Sequence, residues 1–167
     1  MEILIDTREQ APYDLVGAKK ATLHTGDYTV AGYKDDIAVE RKSYSDLYHC
    51  LTTAKKRFED QLKRLGEMDY AYLLIDTTAS AVLMGHPQCK LPGEVALSKL
   101  VKLTTRYDVP FCFADNRGGL ITRNLLLEMK KKCDKEGETY DGYVRIADLE
   151  AISGIGPKLL EKIKQET

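Results

Sequence analysis

A chain of 167 residues, 43% hydrophobic and 31% charged, has the composition of an ordinary soluble globular domain, alone or with a small appendage. No apolar run approaches the roughly 20 residues of a membrane span. The formal net charge of −1 speaks against a uniformly basic nucleic-acid binder but leaves room for a local basic stripe. The clusters Lys55-Lys56-Arg57, Lys63-Arg64 and Lys130-Lys131-Lys132 are the material for such a stripe. Cys50, Cys89, Cys112 and Cys133 are scattered, and His86 with Cys89 has zinc-like spacing without a second pair, so reduced thiols are expected. The opening residues lack a basic leader and apolar stretch, so no signal peptide is expected and the expectation is an intracellular protein with no membrane partner.

Ile3-Leu4-Ile5 reads as a short buried first strand that ends at Asp6. Asp6 and Arg8 then share a face at the strand end. Asp6 is a candidate for holding a metal-bound water, and Glu9 for fixing an arginine or lysine. The plain alternative is a surface ion pair, which contributes little. Residues 21–25 read as a second strand turning at Gly26. Thr29-Val30 runs out, Gly32 with Asp35-Asp36 supplies turn chemistry, and Ile37-Ala38-Val39 returns. The return strand leaves its apolar part into Glu40-Arg41-Lys42, where alternation puts Glu40 and Lys42 on one face and Arg41 on the other. A hairpin of this kind brings Asp27 alongside Glu40 and Lys42. Two carboxylates and a lysine at a sheet end suit a hard divalent cation and a water: the cation polarises a phosphoryl oxygen, and the lysine orients or deprotonates the water. A solvated edge strand blunted by charge is the competing reading.

Ser43 is a good helix N-cap, and Asp46 three residues on completes a Ser-x-x-Asp arrangement like a capping box. Leu47, Leu51, Ala54, Phe58, Leu62 and Leu65 recur at helical spacing, with Lys55, Lys56, Arg57, Lys63 and Arg64 opposite. Arg57 and Gln61 lie one turn apart, placed to reach one phosphate. Residues 70–76 form a near-continuous apolar strand, 85–93 a loop rich in breakers, and 94–106 an amphipathic helix. Residues 110–115 form another buried strand, and a helix opens at Arg117-Gly118-Gly119 and ends in the lysine run. The order implies a mixed central sheet flanked by helices over residues 1–134. Residues 135–143 read as a polar linker. Residues 144–167 read as two short helices around Ser153-Gly154-Ile155-Gly156-Pro157, a helix-hairpin-helix element whose backbone amides suit a DNA phosphate, with Lys158 adding charge.

Gly26-Asp27, then Glu40-Arg41-Lys42, three residues and Asp46, resembles the nuclease motif of the XPF-type structure-specific endonucleases. Asp6-Thr7-Arg8-Glu9 matches a further motif of that family, and Arg57 with Gln61 sits where the family has a basic helix. The resemblance covers roughly residues 2–130. It implies a restriction-endonuclease-like fold and an endonuclease that uses Mg²⁺ or Mn²⁺ on branched double-stranded DNA such as flaps, forks or junctions. It also implies a homo- or heterodimer paired through the helices after Glu94 and Arg117. Carried over residue by residue, Asp27 and Glu40 would be direct metal ligands with Asp6 next in line, and Lys42 would position or activate the attacking water. Arg41 would hold the phosphate or brace Asp46. Arg8, Glu9, Arg57, Gln61, Gly154, Gly156 and Lys158 would face DNA. Family members usually carry two such hairpins in tandem; one is read here, either because the sequence is truncated or because a single hairpin suffices. Two alternatives stand beside this reading. One is a non-catalytic DNA-binding scaffold partner of the same fold, which typically lacks parts of the metal motif, whereas Asp27, Glu40, Lys42 and Asp46 are all present here. The other is a Holliday-junction resolvase of the wider Asp…Glu-x-Lys group.

Overall fold

The computed structural model describes residues 1–140, with side chains to Glu136. The expected hairpin at residues 144–167, with Gly154, Gly156 and Lys158, lies outside the described residues. Met1–Lys131 forms one compact unit and Lys132–Thr167 a second. Among the described residues no helix is long and apolar enough to cross a membrane.

Six strands form one mixed sheet: β1 (Ile3–Asp6), β2 (Lys19–Ala21), β3 (Tyr28–Val30), β4 (Ile37–Ser43), β5 (Tyr70–Asp76) and β6 (Phe111–Phe113), in the spatial order β2-β1-β3-β4-β5-β6. β3 is antiparallel to both β1 and β4, whereas β4, β5 and β6 are mutually parallel along the sheet. The change of sense follows from connection length. A turn over Gly32 to Asp36 joins β3 to β4, while the parallel steps from β4 to β5 and from β5 to β6 are bridged by helices. The first bridge is α1 (Tyr44–Leu51) and α2 (Lys55–Gly66); the second is α3 (Ala79–Met84) and α4 (Gly93–Arg106). α5 (Gly118–Tyr140) follows β6. This is the restriction-endonuclease-like arrangement expected from the sequence.

Leu47, Tyr48, Leu51, Phe58, Leu62 and Leu65 from α1 and α2 pack with Ala38, Leu73 and Ile75 of the sheet and with Leu100 and Leu103 of α4. Each of these large apolar side chains contributes about 2 kcal/mol by leaving water. Ala38 faces this core, so alternation places Glu40 and Lys42 on the same face one and two steps further along β4. The face is therefore apolar up to Ala38 and ionic beyond it.

Several boundaries differ from the sequence reading. The second strand is Lys19–Ala21 and not 21–25. Residues after Ala21 leave the ladder because the Leu23 amide donates to the Asp6 carboxylate (2.8 Å) instead of to a neighbouring strand. The apolar stripe from Leu47 to Leu65 is broken at residues 52–54, where the Thr52 hydroxyl donates to the Tyr48 carbonyl at 2.7 Å and closes the helix end. α3 has only six residues and one buried side chain, Val82, too short to show a helical period. The stretch read as a linker from Lys135 is helical as far as Tyr140, since its lysines and glutamates sustain a helix and no proline interrupts it.

Candidate functional site

Gly26 adopts φ +78°, and a Cβ on it would meet the Ala38 Cβ at 2.8 Å, so the turn into Asp27 has room only for glycine. Asp27 is pinned between two strands: its amide donates to the Val39 carbonyl at 2.9 Å, and its carbonyl accepts from the Asp6 amide at 2.8 Å. Its Oδ2 accepts the Arg41 amide at 2.8 Å. Glu40, only 3% exposed, accepts Lys42 Nζ at 2.5 Å. Burial first, and the Glu40 charge second, push the Asp27 carboxyl well above the usual carboxylate range. Burial works to lower Lys42, but the Glu40 charge and hydrogen bond, with a contribution from Asp27, outweigh it and hold the ammonium above its usual range.

Lys42 is hydrogen-bonded to Glu40, and Asp27 lies close enough to both for their charges to act on it. The expected meeting of Asp27, Glu40 and Lys42 is present, with oxygen donors of the kind Mg²⁺ and Mn²⁺ prefer. Among the described residues, no three Asp, Glu, His or Cys side chains gather closely enough to hold a cation by themselves. The donor set fits an ion held by one or two carboxylates, with waters and a substrate phosphate completing its shell.

Asp6 sits beside this pair but is already engaged. Its Oδ1 accepts the Arg8 amide at 2.7 Å and Arg8 Nε at 2.8 Å, and its Oδ2 accepts Arg8 Nη2 at 2.9 Å and the Leu23 amide at 2.8 Å. The Arg8 side-chain hydrogen bond, against the opposing effect of burial, brings the Asp6 carboxyl down to about 2.

Arg41 is the hub of a second network on the opposite face of β4. Its Nε and Nη2 donate to Asp76 Oδ2 at 3.0 and 2.6 Å, and its Nη1 reaches Glu9 Oε1 at 3.3 Å. Its guanidinium also lies 5.1 Å from the centre of the Tyr13 ring, which stacks on Tyr28. Glu9 thus lies against this arginine. Arg41 does not brace Asp46: the register puts Asp76 beside Ser43 at the end of β5, within reach of Arg41, whereas Asp46 lies a turn into α1. Asp46 accepts the Ser43 hydroxyl at 2.7 Å and returns its amide to the Ser43 Oγ at 3.2 Å, so its contacts are those of the cap. Asp46→Ala is expected to lower stability by about 0.5–1 kcal/mol and leave any activity of the folded protein within about twofold; a loss of 100-fold without a matching loss of structure would reassign it to the site.

Asp76 and Tyr13 were not singled out from the sequence. Asp76 carried a usable signal, because Leu73-Leu74-Ile75-Asp76 repeats the pattern of Ile3-Leu4-Ile5-Asp6: a buried apolar triplet ending in an acid at a strand terminus. Tyr13 lies in an irregular stretch and offered none. Arg57 is exposed and Gln61 half-buried, one turn apart on α2. Burial raises the Cys50 thiol, and the charges of Lys42, Asp46, Glu40 and Arg57 also act on it, which places Arg57 in the neighbourhood of the ionic end of β4.

The family model described as the ERCC4 domain matches residues 5–119. Among solved structures, XPF from Aeropyrum pernix superposes with a TM-score of 0.61 at 20% sequence identity, covering 99% of this chain and 81% of that one. The structure described as XPF from Aeropyrum pernix in complex with DNA superposes with a TM-score of 0.60 at 19% identity, covering 99% and 80%. At these identities the likeness is one of fold. No curated protein gives a significant match.

Proposed function

From the premise that this chain belongs to the ERCC4-domain family and is an XPF-type nuclease domain, we propose that it is a divalent-metal-dependent endonuclease hydrolysing phosphodiester bonds in branched double-stranded DNA. The observation that carries this reading is the convergence of Asp27, Glu40 and Lys42 at one end of β4. Asp27 and Glu40 would hold Mg²⁺ or Mn²⁺. When bound, the ion supplies Lewis-acid polarisation of a phosphoryl oxygen and a more acidic water. Lys42, hydrogen-bonded to Glu40 at the same strand end, would position or activate the attacking water. Arg57 and Gln61 present a guanidinium and an amide along α2 to a neighbouring phosphate. The DNA complex of the Aeropyrum pernix protein supports a nucleic-acid substrate here.

The deciding experiment incubates flap, fork and four-way-junction duplexes with the protein and Mg²⁺ or Mn²⁺, with EDTA as control. Metal-dependent nicking near the branch is expected. Binding without product selects the non-catalytic scaffold partner, and cleavage confined to the four-way junction selects a resolvase.

The proposed protein partner is a second nuclease domain, in a homo- or heterodimer. Val95 and Val101 of α4 and Leu120 of α5 are exposed, and Phe111 and Phe113 of the edge strand β6 are half-exposed. In sedimentation equilibrium the homodimer should form at tens of micromolar, roughly as a modest interface allows, and Val101→Glu should return it to monomer. A monomeric wild type over that range, with no heterologous nuclease-domain partner able to bind it, removes the dimer.

A further inference from the structure

The chemistry of the Asp6–Arg8 pair differs from what a metal site needs. A carboxylate offers about four lone-pair positions on its two oxygens. All four are occupied at Asp6, by two donors on each oxygen at 2.7–2.9 Å, and the side chain is 1% exposed. A cation would have to displace one of these donors from a buried position.

Arg8 is arranged the other way round. Its Nε and Nη2 are fixed by the two Asp6 oxygens, and Nη2 also donates to the Leu23 carbonyl at 2.7 Å. Nη1 makes no hydrogen bond to a described residue, and the side chain is 69% exposed. The guanidinium is thus held rigidly from behind with one amino group turned to solvent. Asp27 and Glu40 lie near enough for their charges to act on it. An arginine normally gives up side-chain entropy when it grips a phosphate; here that ordering is complete before substrate arrives.

We propose that Arg8 is a preorganised phosphate-binding residue at the edge of the cleavage site, and that Asp6 is its positioning residue and not a metal ligand. This rests on the reading of Asp27, Glu40 and Lys42 as the cleavage site. The ligand is a non-bridging oxygen of a DNA phosphate at or next to the scissile one. The fork geometry also makes lysine a poor replacement for Arg8, since a single ammonium nitrogen lacks the planar fork that engages both Asp6 oxygens through separate nitrogens and presents another amino group outward.

The test compares wild type with Arg8→Gln, Arg8→Lys, Asp6→Asn and the Asp6→Asn/Arg8→Gln double variant. Four quantities are read: melting temperature, Mn²⁺ affinity without DNA by calorimetry, affinity for a fork duplex in Ca²⁺, and single-turnover cleavage rate in saturating Mg²⁺. All variants should bind Mn²⁺ as wild type does. Arg8→Gln should cleave about 100-fold more slowly, Arg8→Lys about tenfold more slowly, and the double variant no more slowly than Arg8→Gln. A tenfold loss of Mn²⁺ affinity in Asp6→Asn makes Asp6 a ligand and overturns the proposal. So does a wild-type rate and DNA affinity in Arg8→Gln. If Asp6→Asn fails to fold, the two Arg8 variants still decide the clamp. If wild-type protein binds the fork but cuts nothing, the cleavage reading falls by itself, and the DNA affinity of Arg8→Gln then decides this proposal.

Discussion

Asp27→Asn, Glu40→Gln and Lys42→Ala are each expected to lower metal-dependent cleavage by about 10²–10³-fold or more, the scale seen when one preorganised charged group is removed from a reaction centre. Their effects on stability separate them. Asp27 is buried beside Glu40 with its carboxyl raised, so in the metal-free protein its ionisation opposes the fold. The folded state keeps a proton that the unfolded chain releases above about pH 4, so the stability tied to this group is fully present below that pH. It is lost as the pH rises through the raised value. Asp27→Asn should therefore raise the melting temperature of metal-free protein at alkaline pH by a few degrees, and should abolish the further rise that Mn²⁺ gives to wild type. Lys42→Ala should do the opposite, because it leaves the buried Glu40 without its ammonium. Circular dichroism, thermal melts and product formation on a fork substrate read all of this together. Near-wild-type rates for the three variants would dismiss the cleavage site. A fall in stability for Asp27→Asn would dismiss the electrostatic account of it.

The second large effect belongs to Arg41, on the opposite face of the same strand. Its side chain is 14% exposed and is the shared cation of Asp76 and Glu9. Arg41→Ala leaves both carboxylates uncompensated in half-dry surroundings and removes the cation from the Tyr13 face. The expected cost is about 3 kcal/mol, the lower end for a broken buried pair because water still reaches part of the group. For a chain of this size that is a fall of roughly 6–12 °C in melting temperature. Arg41→Lys keeps the charge but cannot make both contacts to Asp76, and should recover less than half of the loss. Urea titration of the two variants, and of Asp76→Asn alone and combined with Arg41→Ala, measures the coupling. Additive losses across that cycle would mean the pair is not a unit, and a loss under about 0.5 kcal/mol for Arg41→Ala would place the network among ordinary surface charges.

These expectations also mark the division between what was legible along the chain and what was not. The fold class followed from order alone: a hairpin through Gly32 and Asp35-Asp36, then apolar strands separated by helices long enough to serve as parallel crossovers. The centre of the site was legible for an equally local reason. Strand alternation has a period of two, so Glu40 and Lys42 had to share a face and Arg41 had to leave it, whatever the rest of the chain did. The Ser43–Asp46 cap was readable from four consecutive residues.

Partnership between charges was not readable in this way. Asp6, expected next in line for the cation, spends its four acceptor positions on Arg8 and on the amide of Leu23, seventeen residues away. Arg41, expected at a phosphate or at Asp46, is taken by Asp76, thirty-five residues away. The Arg41–Asp76 pair does not exist until the ladder sets Ser43 beside Asp76, and the Leu23 amide reaches Asp6 only when residue 23 comes back under the end of β1, whereas the Asp6–Arg8 pair spans two residues and was among the readings the sequence offered. Alternation and capping are properties of one short segment, and sequence alone determined them. Which acid neutralises which base depends on the register between segments distant along the chain, at separations of a few ångströms where a shift of one residue changes the partner, and only the tertiary structure decided that.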